Sequence, residues 1–223
     1  MAAGITTFIR RFVDVLLPPT CAACRGLVED RAPICRECSS ALAAMPVPEP
    51  LLIPIPSGDG ALLEARALLP FTGPVRALLL ALKYQGRKDA ARALARIASD
   101  RYGDELRSGI LVPIPLHPRR ERARGYNQSA ILAAAIAEET GSRFLPVLIR
   151  KRSTRSQTRL GRKERAGNVS GAFTLAGPTI ASPAVVTLVD DVVTTGATLG
   201  EAARVLSAAG ARRLQALTAA REL

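Results

Sequence analysis

Residues 185–206 read VVTLVDDVVTTGATLGEAARVL, and this stretch decides the fold. The apolar, β-branched run over 184–189 predicts a buried strand. Asp190 and Asp191 follow it, then Val192-Val193 and the run Thr194-Thr195-Gly196-Ala197-Thr198. A helix is expected over 198–209, ended by Gly210. Ligands of open α/β folds bind at the carboxyl ends of the strands, where the two acids are expected. Adjacent carboxylates repel, and burying them unpaired is costly, so they need hydroxyl donors or a cation. The small and hydroxyl residues after them leave backbone N–H groups free to surround an anion. The helix N-terminus adds partial positive charge. Gly196 lets the backbone approach closely, and the Thr195 and Thr198 hydroxyls are further donors. Acids suited to sugar hydroxyls thus lie one step before a phosphate cradle, the pattern of a ribose 5-phosphate site. The plainer alternative is a capped strand–loop–helix with two exposed aspartates. A TTG triplet alone favours that alternative; the whole array is far more specific. No Gly-Lys pair occurs, so a Walker A loop is absent, and no G-x-G-x-x-G follows a strand.

Upstream, strand-like and helix-like segments alternate. Strands are expected at 66–71, 110–114 and 146–149, helices at 73–84, 89–102 and 127–139, and a last strand at 214–218. Such alternation implies an α/β fold: an open, mainly parallel sheet with helices on both faces and right-handed crossovers. Three regions follow: an N-terminal helix and cysteine segment (1–45), a proline-rich linker (46–65) and the α/β domain (66–223). The chain has 223 residues, 48% hydrophobic and only 4% aromatic with no Trp, so its core rests on Ala, Leu, Val and Ile. No stretch of about eighteen apolar residues occurs, so no membrane span is expected. Residues 5–17 have helical spacing, but Arg10, Arg11 and Asp14 interrupt any signal-like run. The chain therefore reads as cytoplasmic, which disfavours structural disulfides.

All four cysteines are spent as Cys21-x-x-Cys24 and Cys35-x-x-Cys38. Each pair can present two thiolates to one ion, and four thiolates suit tetrahedral Zn²⁺. Two disulfides or a redox motif are the alternatives. A closed four-ligand site is structural, and in so short a segment the metal supplies the folding energy.

The formal net charge is +12, and only four of the basic residues are Lys. Arginine suits bidentate phosphate contacts, and so positive a chain favours anionic partners. Residues 150–168 carry eight Arg or Lys against one Glu. They read as a long basic loop: a solvated loop, a hood closing over a bound phosphate ester, or a nucleic-acid backbone track. Base-stacking platforms are scarce there, with only Tyr126 and Phe173 nearby. His117, the one histidine, reads as a turn residue.

ALKYQGRKD at 81–89, VPIPLHPRRERARGYNQS at 112–129, RSTRSQTRLGRKERAGNVSGAF at 152–173 and VDDVVTTGAT at 189–198, with the cysteine knuckle, together resemble the ComF family. These are type I phosphoribosyltransferase-like proteins that include bacterial competence factors and gluconate-utilisation relatives. The resemblance implies phosphoribosyl pyrophosphate (PRPP) as ligand, with Mg²⁺. Asp190 and Asp191 would contact the ribose hydroxyls, and Thr194, Thr195, Gly196, Ala197 and Thr198 the 5′-phosphate. Lys83, Arg124 and Arg162 are candidates to meet pyrophosphate. Thr194 stands where oxopurine salvage enzymes place an Asp, which argues against hypoxanthine or guanine as acceptor. No catalytic general base or nucleophile emerges. The resemblance also implies a role in natural transformation, with single-stranded DNA or a helicase-like protein as partner. The alternative to an enzyme is a non-catalytic module that senses PRPP, or that binds DNA or a partner through the ribbon and the basic loop.

Overall fold

The computed structural model describes residues 18–152, 169–177 and 184–222. The expected N-terminal helix at 5–17 and most of the basic loop lie outside the described residues. Cys21, Cys24, Cys35 and Cys38 shape a small ribbon closed by helix α1 (Arg36–Ala43). The main sheet has six strands: β1 (Leu51–Pro54), β2 (Leu62–Pro70), β3 (Ile110–Pro113), β4 (Arg143–Phe144), β7 (Val186–Val193) and β8 (Leu214–Arg221). A separate antiparallel pair is formed by β5 (Leu148–Arg150) and β6 (Phe173–Leu175). The helices are α2 (Gly73–Tyr84), α3 (Asp89–Leu106), α4 (Pro118–Arg124), α5 (Gln128–Thr140) and α6 (Ala197–Ala208).

The strand order is β1-β2-β8-β7-β3-β4, with only β1 antiparallel to its neighbour. This is the open, mainly parallel α/β sheet the sequence implies. Alternate side chains point to opposite faces of a strand, and the core divides accordingly. Leu111, Val189 and Leu217 pack with α2, α3 and α5 through Leu78, Leu82, Leu94, Leu132 and Ile136. Val112, Leu188 and Ala216 face the other way, onto Leu199, Ala203 and Leu206 of α6. Ala22 and Leu42 of the ribbon join the first of these clusters, so the ribbon packs on the α/β core. Arg87 fastens it there, donating from Nη2 to the Thr20 carbonyl at 2.6 Å and to Asp89 Oδ2 at 2.7 Å.

Several elements depart from the sequence expectations. Residues 46–65, expected as a linker, contribute β1 and the start of β2, because the prolines bracket a short apolar segment that pairs at the sheet edge, where a missing N–H is tolerated. The prolines and arginines after β3 form α4, which follows His117 as its N-cap; the ring Nδ1 accepts from the Arg119 N–H at 3.2 Å. Proline at the first helical turn costs nothing. Strand β7 runs on through both aspartates to Val193. Among the described residues, no helix is long and apolar enough to cross a membrane.

β1 matters because it backs the loop between β7 and α6. Gly196 has φ +76°, and a Cβ there would collide with the Ile53 side chain. Gly196→Ala therefore combines a left-handed backbone with a core clash and is expected to cost ~1–3 kcal/mol. Thermal or denaturant unfolding checks this, and an unchanged midpoint refutes it.

Candidate functional site

The site begins where two neighbouring strands differ in length. β3 ends at Pro113, opposite Val189, and the Ile114 N–H still donates to the Val189 carbonyl at 2.9 Å. β7 continues four residues further, paired only with β8 on its other side. The chain leaving β3 turns away into α4, and a crevice opens beside residues 190–193. Such a split at the carboxyl end of a parallel sheet is where ligands of these folds bind. Here it is a cavity of about 420 Å³.

Asp190 and Asp191 line this cavity. The Ser129 hydroxyl donates to Asp190 Oδ1 at 2.8 Å, and the Asp191 N–H donates to the same oxygen at 2.9 Å. Asp191 is buried; its Oδ2 accepts from Gln128 Nε2 at 2.9 Å and pairs with Lys83 Nζ at 2.9 Å. Gln128 in turn accepts from Arg124 through its Oε1, and the Arg124 guanidinium lies 5.2 Å from the centre of the Tyr84 ring. The carboxylates are thus compensated by a cation and two side-chain donors, as an adjacent pair of acids, one buried and one half-buried, requires.

The donors come from one short run. Tyr126 donates its hydroxyl to the Leu82 carbonyl at the end of α2. Asn127 caps α5, accepting from the Ser129 N–H at 3.1 Å, and donates Nδ2 to the Ile114 carbonyl at 3.0 Å. Gln128 and Ser129 then reach one aspartate each.

The loop after β7 ends at Gly196, the N-cap of α6, which makes no side-chain cap hydrogen bond. No acidic residue occupies the first turn. A helix N-terminus with no acid in its first turn carries partial positive charge that an anion can meet. Thr194, Gly196, Ala197 and Thr198 line the cavity with the two aspartates. Thr195 is not in the lining, and its hydroxyl is buried without a hydrogen-bond partner among the described residues. Lys83 and Arg124 line the same cavity, whereas Arg162 lies outside the described residues.

Two cations that sequence reasoning did not single out also face the cavity, Arg120 on α4 and Arg150 on β5. Arg150 is buried, with its guanidinium 5.3 Å from the centre of the Phe173 ring. Burial pulls its pKa down, and the nearby Asp190 charge opposes that pull. Its signal was the in–out–in pattern of Leu148, Ile149 and Arg150, hidden at the edge of a basic run. The β5–β6 pair is tied to α6 by Glu201, which accepts from the Gly171 N–H at 2.8 Å and is held ionised by Arg204.

The four cysteine sulfurs lie within 4.8 Å of one another. Backbone N–H groups of Ala23 and Cys24 point at Cys21 Sγ, that of Gly26 at Cys24 Sγ, and that of Cys38 at Cys35 Sγ, at 3.4–3.5 Å. Such knuckles favour thiolates, and the set fits one tetrahedral ion.

Burial, reinforced by the Asp191 charge, pushes the Asp190 carboxyl up to about 7, against the pull of Ser129, the Asp191 N–H and Lys83. An acid raised in the folded state stabilises it at low pH, and that contribution is lost as pH rises through the folded value. The ligand-free protein should therefore lose stability between about pH 4 and pH 7 from this group. Melting temperatures against pH should fall across that window, and Asp190→Asn should flatten the fall. An identical slope in the variant refutes the assignment.

Comparison with known proteins agrees with this architecture. Residues 12–51 match the double zinc ribbon domain family. The DNA utilization protein YhgH of Salmonella typhimurium is 32% identical over 202 residues, covering 87% of each chain. Competence protein F of Haemophilus influenzae is 32% identical over 150 residues, 64% of this chain and 66% of that one. A solved adenine phosphoribosyltransferase aligns at 14% identity with a TM-score of 0.39, over 81% of this chain and 89% of that chain. That last likeness adds nothing to what the strand order shows. With a ribbon of four cysteines in front of a parallel α/β sheet, and the Salmonella relative 32% identical over 87% of each chain, the chain belongs to the ComF family.

Proposed function

We propose that this protein binds PRPP with Mg²⁺ and acts as a phosphoribosyltransferase-like protein in the handling of DNA, in the cytoplasm. The observation that carries the reading is the cavity itself. It joins two adjacent aspartates to an uncapped helix N-terminus and surrounds them with Lys83, Arg120, Arg124 and Arg150. A ribose diol fits the acids, a 5′-phosphate fits the loop from Thr194 to Thr198, and a pyrophosphate fits the cations. Magnesium takes carboxylate and substrate oxygens, and both kinds of donor meet here. Lys83 and Gln128 already hold Asp191, so diol binding shares or displaces those contacts and frees Lys83 to meet pyrophosphate. Arg162 belongs to the same group of pyrophosphate candidates. Positioning and electrostatics would carry a transfer at this site.

The DNA-handling role extends to this chain what the names of its relatives state, DNA utilization and competence. The strongly basic composition favours a second reading beside the enzyme: a non-catalytic module in which PRPP is sensed, and single-stranded DNA or a helicase-like partner is held by the ribbon and basic loop. Pyrophosphate release from PRPP and Mg²⁺, with and without acceptors, separates the two. Turnover supports the enzyme, and saturable binding without turnover supports the module.

Asp190→Asn combined with Asp191→Asn should abolish calorimetric PRPP binding while the fold, followed by thermal melting, persists. Unaltered affinity in the double variant rejects the site. The ribbon is expected to hold one structural Zn²⁺ per chain. Elemental analysis of freshly purified, reduced protein checks it, and a metal-free, fully folded chain rejects it.

A further inference from the structure

Arg150 reaches the cavity from a pair of strands outside the main sheet. Among the described residues, β5 and β6 pair only with each other. Their place depends on α6. Leu148, Val169, Ala172 and Phe173 pack with Leu199, Ala202 and Ala203 of that helix. Glu201 stands amid those residues and is 4% exposed. A glutamate is rarely so buried, and the cost is offset only by firm partners. Its Oε1 accepts from the Gly171 N–H at 2.8 Å and from Arg204 Nη2 at 2.8 Å, and its Oε2 accepts from Arg204 Nε at 2.9 Å. Gly171 begins the short run to Phe173, the direct partner of Arg150 in the β5–β6 register. The Lys151 N–H donates to the Ala172 carbonyl at 2.9 Å and closes the pair at the same end. One turn before Glu201, Ala197 and Thr198 line the cavity. Helix α6 therefore meets the cavity with its first turn and the strand pair that carries Arg150 with its second.

We propose that Glu201 is a positioning residue: by holding the Gly171 N–H it locks the β5–β6 pair onto α6 and sets Arg150 at the cavity. An apolar side chain would pack at this helix position without the cost of burying a charge, so packing alone does not account for a carboxylate there. Apolar contacts are non-directional and let the strand pair slide along α6. A backbone N–H bonded to a charged acceptor is directional and stronger than a neutral bond, so it fixes the register between the two. Arg204 has a separate part. A bare carboxylate this close to the start of α6 would compete with a bound anion for the positive end of the helix, and the Arg204 guanidinium offsets it. What Arg150 meets in the cavity rests on the PRPP reading; the lock itself does not.

The test uses the full chain. Amide hydrogen exchange over 169–177 is followed by mass spectrometry, with α5 as internal reference, and folding is followed by thermal melting. Affinities for PRPP with Mg²⁺ and for ribose 5-phosphate are measured by calorimetry. Glu201→Ala should speed exchange over 169–177, leave α5 unchanged and weaken PRPP binding about tenfold. Ribose 5-phosphate has no pyrophosphate for Arg150 to meet, so its affinity should stay at the wild-type value. Arg150→Met should weaken PRPP binding alike, and adding Glu201→Ala to it should change nothing further, because the lock acts through Arg150. Glu201→Gln keeps a carbonyl for the Gly171 N–H and should restore most of the protection and of the affinity. Glu201→Asp keeps the charge but shortens the reach, and should restore neither. The proposal is overturned by wild-type exchange over 169–177 in folded Glu201→Ala or Glu201→Asp, by equal weakening of PRPP and ribose 5-phosphate, or by additive losses in the double variant. Should Glu201→Ala not fold, the contrast between Glu201→Gln and Glu201→Asp decides. A wild-type chain that binds no PRPP rejects the sugar-phosphate reading instead, and the exchange measurements then decide the lock by themselves.

Discussion

Two aspartates side by side at the end of a buried strand are an electrostatic problem, and much of the structure around the crevice answers it. One carboxylate is held by a lysine from the end of α2 and an amide from the start of α5; the other is held by a hydroxyl from the same turn of α5. Each of these groups is in place because something else holds its backbone. The Asn127 cap sets the first turn of α5 and ties it to the chain leaving β3. The Tyr126 hydroxyl ties the same turn to α2. Four consecutive residues, 126–129, therefore connect three elements to the acidic pair. Losing the Gln128 or Lys83 contact leaves the buried Asp191 short of a partner, which costs more than an ordinary hydrogen bond contributes.

The ribbon belongs to the same arrangement, although it is distant in sequence from the aspartates. Ala22 and Leu42 pack in the cluster that holds Leu78, Leu79 and Leu82 of α2. Lys83 is the next residue along that helix. Arg87, just beyond α2, grips the ribbon backbone at Thr20 while its other contacts hold Asp89 at the start of α3. A ribbon that loses its internal order loosens the packing that aims Lys83 at Asp191. Four cysteines cannot form a hydrophobic core for so short a segment, so an ion bound by them would act on the cavity through this packing.

Much of this was legible in the sequence, and the limits have physical causes. The β-branched run, the paired acids and the hydroxyl-glycine loop announce strand, sheet edge and the turn into a helix in order, because each residue type has a local preference. The cysteine spacing is equally local. Lys83 and Arg124 line the cavity as the resemblance suggests, but Lys83 already pairs with Asp191, a contact spanning more than a hundred residues that no periodicity encodes. β1 was hidden because prolines mark linkers and edge strands alike, and only the pairing of Leu51–Pro54 with β2 separates the two. Thr195 shows another limit: sequence names it with the rest of the loop, yet its hydroxyl does not face the cavity, since side-chain direction in an irregular loop depends on dihedrals. Arg150 was taken as one cation of a basic run because only the β5–β6 pairing gives it an inward face.

The excess of positive charge is not spread evenly over the surface. Several arginines are consumed by the fold: Arg101 reaches the carbonyls of Leu68 and Met45, Arg66 bridges Glu64 and Glu105, and Arg204 holds Glu201. Lys83, Arg120, Arg124 and Arg150 instead converge on one crevice from α2, α4 and β5. Two aspartates offset part of that charge, and one of them is pushed by burial toward its neutral form near pH 7. Among the described residues, cations converge on the crevice more than acids do, and its low-dielectric walls focus their field. A net charge of +12 by itself favours any anion. Its concentration around an acidic pair and a helix N-terminus without a side-chain cap is what the proposed sugar-phosphate reading rests on.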